Sequence, residues 1–182
     1  MSTQTDGVAQ APTQANTQAP THANTQAPVA KGRLLPPGAY AGDDIQPGDY
    51  FLTSGITVTE THVVNFAGVS GDFYDIHLDD VAAQAAGFSG RIAHGLLGLS
   101  LADGLKTRSP VRLRGVATLG WNWAFRAPLL IGDRIHVEVV VKAIRPTRRG
   151  DRVIATLALA VINQRGETVQ DGESLLMMAL KG

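Results

Sequence analysis

Between Ser70 and His77 the chain reads Ser-Gly-Asp-Phe-Tyr-Asp-Ile-His, setting the carboxylate of Asp72 and the imidazole of His77 five positions apart. A carboxylate and an imidazole that converge can hold one water between them and move its protons, and need no metal to do so. The same spacing also fits plainer roles, with Asp72 capping a turn and His77 a hydrogen-bonded surface histidine. A second element lies at His94-Gly95, where a long apolar stretch begins. The first amides of a helix lack an internal acceptor, and the helix dipole makes that end electropositive. With no side chain at Gly95, a carbonyl oxygen can reach the bare N–H, which is the geometry of an oxyanion hole. The alternative is that Gly95 only permits close packing against a sheet.

These groups need elements to position them. Thr59-Glu60 before His62–Ala67 has the form of a helix start, with Val63, Phe66 and Ala67 on one face. Gly71-Asp72 ends that helix, and a loop is expected to Leu78. Asp79-Asp80 opens a short helix through Ala86, with Gly87 suited to its C-terminal cap. From His94 to Leu105 the chain is apolar nearly all round, as in a helix buried on most sides. After Ser109-Pro110 it reads as strands: Val116–Phe125, Arg134–Ile144, Val153–Asn163 and Thr168–Met178. In the second, Ile135, Val137, Val139, Val141 and Ala143 share one face, opposite Arg134, His136, Glu138 and Lys142. Gln164–Glu167 is a hairpin turn. The expectation is an α+β fold, one long helix wrapped by a curved antiparallel meander.

Composition excludes several classes. Sixteen basic and sixteen acidic side chains leave zero formal charge, whereas a protein that neutralises phosphates is usually basic. No nucleic-acid partner is therefore expected. Zero cysteines remove disulfide scaffolds, cysteine nucleophiles and thiolate metal sites. No run approaches the roughly 18 apolar residues of a membrane helix. The N-terminus shows neither the basic patch nor the apolar core of a signal peptide, so the default is a soluble cytoplasmic protein without a membrane partner. Residues 1–30 hold one acid (Asp6) and no Lys or Arg, and repeat TQANTQAP at 13–20 as THANTQAP at 21–28. Such a segment cannot bury enough apolar surface to offset the entropy of ordering. Residues 1–38 are read as a disordered tail and 39–182 as a single domain. Neither the lone His22 nor any other group suggests a metal site.

Other groups admit two readings. Arg145, Arg148, Arg149 and Arg152 surround a turn; they are either solvated or a contact for the phosphates of a ligand. Trp121, Trp123 and Phe125 alternate on one strand face, as core or dimer packing residues or the lining of an apolar ligand pocket. His62 and His136 read as polar-face residues. His94 is placed to orient the helix start, with its ring in reach of the pair.

Ser70-Gly71-Asp72…His77-Leu78-Asp79-Asp80, Gly87-Phe88 and Arg91-Ile92-Ala93-His94-Gly95-Leu96-Leu97 together resemble the MaoC-like (R)-specific enoyl-CoA hydratase/dehydratase family. The likeness is dense from Val64 to Leu101. It extends more thinly over 45–178, including Phe125-Arg126-Ala127-Pro128 and Gly132-Asp133. It implies a hot-dog fold and, for a single repeat, a homodimer with active sites near the subunit interface. It implies no cofactor and no metal. By the same resemblance, Asp72 and His77 activate a water that adds syn to a trans-2-enoyl thioester. The Gly95 amide polarises the thioester carbonyl, and the product is an (R)-3-hydroxyacyl thioester. The substrate is then an acyl-CoA or acyl-carrier thioester. Two positions depart from the family pattern. Tyr74-Asp75 stands where Asn-Pro is common, and Asp103 where some members carry a serine. A hot-dog thioesterase and a non-catalytic acyl-binding subunit are the competing readings.

Overall fold

The computed structural model describes residues 30–182. The 13-residue helix α4 (Gly95–Thr107) packs on a six-stranded sheet. The sheet is built from β2 (Tyr50–Leu52), β3 (Ile56–Thr57), β5 (Gly115–Phe125), β6 (Arg134–Pro146), β7 (Arg152–Ile162) and β8 (Thr168–Ala179). A side ribbon pairs β1 (Gly38–Tyr40) with β4 (Val111–Leu113) in parallel. Three helices precede α4: α1 (Glu60–Ser70), α2 (Asp75–Leu78) and α3 (Asp80–Ala85). The arrangement is the expected α+β one. Among the described residues, no helix is long and apolar enough to cross a membrane.

Alternation in the strands decides which face meets α4. In β6, Ile135, Val137, Val139 and Val141 are buried, as the period-two pattern requires. Ala143 departs from the expected row and is exposed. The pairing of β6 with β7 shifts register between Val141 and Ala143, and a bulge there turns the strand's faces over. Leu97, Ala102 and Leu105 of α4 meet these valines and Leu157, Leu159 and Val161 of β7 in one core. Each large aliphatic side chain buried there contributes about 1.5–3 kcal/mol.

Two expectations are corrected in the order of the chain. The four long strands do not form a simple meander. The sheet order is β2-β6-β7-β8-β5, so β6, β7 and β8 are consecutive neighbours while β5 crosses to the far side of β8. Hydrophobic alternation shows that a strand exists but carries no record of its partner. The expected tail boundary after residue 38 also shifts, because residues 30–38 pack on the domain. Leu35 is buried in the core, and the Leu35 amide donates to the Tyr50 carbonyl at 2.8 Å. Arg33 ion-pairs with the buried Asp49 at 2.6 Å. The rest of the predicted tail, 1–29, lies outside the described residues.

Candidate active site

The loop that carries Asp72 is made by a helix that ends abruptly. α1 starts at Thr59, whose hydroxyl accepts from the His62 amide while the His62 ring receives the Thr59 amide at 3.0 Å. His62 is thus a capping residue. Gly71 ends α1 with φ 77°, a left-handed conformation that glycine adopts without strain, and its amide returns to the Ala67 carbonyl. The chain leaves sideways, and the Asp72 amide donates to Ser70 Oγ at 3.2 Å. Asp72 is exposed, and its Oδ1 accepts the Tyr74 amide at 3.3 Å. The turn-capping reading therefore holds for one carboxylate oxygen. Among the described residues Oδ2 receives no donor.

His77 sits in α2, a four-residue helix where a continuous loop was expected. One helical turn was too short to show a periodic pattern. Rather than lying on the surface, His77 is buried. Its Nδ1 lies 2.8 Å from the Ile92 carbonyl. A carbonyl only accepts, so Nδ1 carries a proton, and in that tautomer Nε2 presents a lone pair. His94 is the N-cap residue of α4 and is also buried. Its Nε2–H donates to the backbone carbonyl of Asp72 at 2.9 Å. The two imidazoles stack with centroids 3.9 Å apart and planes 29° apart. Ligand atoms of Asp72, His77 and His94 all lie within 4.8 Å of one another. Three such groups are a conceivable metal set. However, nearly parallel rings send their in-plane lone pairs side by side rather than to one point, a poor match to tetrahedral chelation. The arrangement suits a hydrogen-bonded water.

Gly95 follows His94 directly, so its amide is fixed next to the stacked pair. No described residue accepts from it. Both readings of this glycine have physical support, since an added Cβ would come to 2.7 Å from the Phe125 ring. Sequence reading missed Gln170, which is buried in β8. Its Nε2 donates to the Gly95 carbonyl at 3.1 Å, and its Oε1 accepts from Trp123 Nε1 at 3.0 Å. The sequence offered no signal for it, since Gln170 stands among Thr168, Asp171, Glu173 and Ser174 in the polar first half of β8. At Gly98 an added Cβ would collide with the Gln170 side chain, so the glycine there makes room for this brace.

The segment before α4 is pinned from several sides. The Ile92 amide donates to Ile76 at 3.2 Å and the Ala93 amide to Leu129 at 2.7 Å. Arg91 bridges Glu60 at 2.8 Å and Asp80 at 3.3 Å. The loop bearing Leu129 is anchored by the buried Asp133. Burial alone would raise its pKa. Bonds from the Gln164 side chain, the Leu130 amide and Arg165 outweigh that and hold it below the usual carboxylate value. Of the remaining candidates, Arg145, Arg148 and Arg149 are exposed at the β6–β7 turn, and Arg152 is half-buried. Trp121 and Trp123 meet edge to face at 5.5 Å.

Residues 44–162 match the profile described as MaoC like domain. The chain belongs to the MaoC-like domain family. It is 34% identical over 116 residues to the (R)-specific enoyl-CoA hydratase of Aeromonas caviae, a match covering 64% of this chain and 83% of that protein. It is 41% identical over 101 residues to Protein MaoC of Klebsiella aerogenes, covering 55% of this chain but only 30% of that protein. Among solved structures, the MaoC-like dehydratase from Rhodospirillum rubrum superposes with a TM-score of 0.73 at 30% identity, over 79% of this chain and 99% of that one. A Mycobacterium tuberculosis protein described as a double hot-dog fold superposes with a TM-score of 0.69 at 21% identity, over 79% of this chain and 45% of that one. The fold of this MaoC-like chain is accordingly a hot-dog fold, and hydratases and dehydratases are among its named relatives.

Proposed function

We propose that the protein is a hydro-lyase that adds water reversibly and syn across the double bond of a trans-2-enoyl thioester, giving an (R)-3-hydroxyacyl thioester. The observation that carries this reading is the grouping of Asp72, His77 and His94 within 4.8 Å at the start of the helix whose first amide, Gly95, has no acceptor among the described residues. The water is held with one O–H toward Asp72 Oδ2 and the other toward His77 Nε2. As its oxygen bonds to C3, Asp72 accepts a proton. The electrons of the C2–C3 double bond move toward the thioester oxygen, where the Gly95 N–H stabilises the growing negative charge. His77 Nε2 orients the water by accepting its other O–H, which stays on the new hydroxyl, and the proton taken up by Asp72 is passed to C2. Both new bonds form on the face that meets the pair, hence the syn outcome. In reverse the same groups dehydrate a 3-hydroxyacyl thioester. The relatives named hydratase and dehydratase support this assignment.

The thioester is an acyl-CoA or acyl-carrier substrate, and the cytoplasm is the compartment this reading takes. A second copy of the chain completes the site. Phe73 and Tyr74 beside Asp72 are 62% and 64% exposed, and Leu96 beside Gly95 is 60% exposed. Apolar groups left open at a reaction centre would admit bulk water, and a homodimer covers them.

The test uses crotonyl-CoA, following loss of enone absorbance and release of free thiol in parallel. Absorbance loss at constant thiol is the expected result. Thiol release would identify a thioesterase, and binding without either signal a non-catalytic subunit.

A further inference from the structure

We infer that the far end of α4 carries a polar subsite that selects acyl thioesters bearing a hydroxyl group at the distal end of the acyl chain; this deepens, and rests on, the thioester reading above. Lys106 is only 6% exposed, although a buried ammonium is costly unless it is well paired. Its Nζ lies 2.7 Å from Asp103 Oδ1 and 5.3 Å from the centre of the Trp121 ring. The contact is an ion pair, and Asp103 Oδ1, the buried oxygen of a half-exposed carboxylate, makes no hydrogen bond among the described residues. Lys106 in turn has three N–H donors and no in-line acceptor among the described residues. Both side chains line a cavity of about 290 Å³ with Thr107, Val116, Thr118 and Leu176. The mechanism uses neither of them.

Position links this cavity to the reaction centre. Gly95, Leu99, Ala102 and Lys106 recur at intervals that share one face of a helix, with Asp103 at its border. That face lies along β5 at both ends. Phe125 stands over Gly95, and Trp121 stands under Lys106. Eight residues separate Gly95 from Asp103, about 12 Å of helix. A thioester with its carbonyl on the Gly95 amide and its acyl chain along α4 brings a medium-length chain end to the ion pair. An alkyl end there would displace water from the buried Lys106 ammonium and from Asp103 Oδ1 without replacing its hydrogen bonds, which is unfavourable. A carboxylate would be repelled by Asp103. A hydroxyl suits both partners, because its O–H donates to Asp103 Oδ1 while its oxygen accepts from Lys106.

The experiment compares equilibrium binding of saturated, unreactive thioesters to the full chain: ω-hydroxyoctanoyl-CoA and ω-hydroxydecanoyl-CoA against octanoyl-CoA and decanoyl-CoA. The hydroxylated ester of the better-fitting length is expected to bind about tenfold tighter. The ratio should fall to near one in the paired variant Lys106→Met/Asp103→Leu, which removes both charges together. Lys106→Met alone, which leaves the half-exposed Asp103 free to hydrate, is the second variant and should cut the ratio severalfold. Equal binding of both esters by the wild-type chain overturns the inference, as does a ratio that survives in the variants. Turnover of trans-2-decenoyl-CoA is read separately. Absent turnover with an intact ratio overturns the hydro-lyase reading and leaves the subsite standing. Normal turnover with a ratio of one overturns only the subsite.

Discussion

The imidazole of His94 stacks on that of His77 at 3.9 Å while its Nε2–H holds the backbone carbonyl of Asp72 at 2.9 Å. One side chain thereby fixes both members of the pair, and as the N-cap residue it also precedes the Gly95 amide. Its second nitrogen, Nδ1, is buried without a hydrogen-bond partner among the described residues. A buried nitrogen left unpaired costs stability.

His94→Phe separates these two effects. Phenylalanine keeps a flat ring against His77 and removes the orphaned nitrogen, but loses the bond to Asp72. Thermal stability should hold or rise, while kcat falls about tenfold through misplacement of the carboxylate. Steady-state kinetics beside a melting curve check this. Unchanged kcat in a folded variant would make His94 a packing residue only.

Asp133 sets an acid limit on the fold. Its pKa in the folded chain lies below the usual carboxylate value, through bonds from Gln164, the Leu130 amide and Arg165 that overcome burial. The unfolded chain, with an aspartate near 3.9, takes up the proton first on acidification. The stabilisation is therefore complete above about pH 4 and is lost as the pH falls through the lower folded value. Asp49 acts in the same direction, with burial outweighed by Arg33 and the Gln46 amide. Asp133→Asn should lower stability at neutral pH by about 1–3 kcal/mol and flatten its decline below pH 4. Denaturant melts at neutral pH and at about pH 3 measure both effects; an equally steep acid decline in the variant would contradict the assignment.

Two truncations test where the folded unit begins. A chain starting at Ala30 should melt and turn over like the full chain. One starting at Gly38 lacks Leu35 and strips Asp49 of Arg33. It should lose roughly 3 kcal/mol from the emptied core position and the unpaired buried charge. Equal melting temperatures for all three chains would show that residues 30–37 contribute nothing.

The helices and strands were legible wherever a pattern repeats. Helix α4 falls within a residue or two of its expected span because an all-round apolar stretch of that length is a helix in a core. The register of β6 follows from its alternation as far as Val141, where the bulge breaks it. What sequence could not show was non-local. The placement of β5 beside β8 pairs segments far apart in the chain, which neither strand's own alternation records. The hold of Leu35 and Arg33 on the domain depends on Tyr50 and Asp49 being in reach. At the candidate site, the spacing of Asp72 and His77 and the glycine at 95 were visible because the resemblance covers those positions. Gln170 was not, since its task arises only when β8 passes under the start of α4.

The most direct measurement is crotonyl-CoA turnover by Asp72→Asn and His77→Gln, each shown to be folded by its melting curve. If these two groups move the protons of the attacking water, each substitution should lower kcat by about 10²-fold or more while bound thioester is retained. Turnover at the wild-type rate in either folded variant would remove that residue from the chemistry and contradict the mechanism built on the pair.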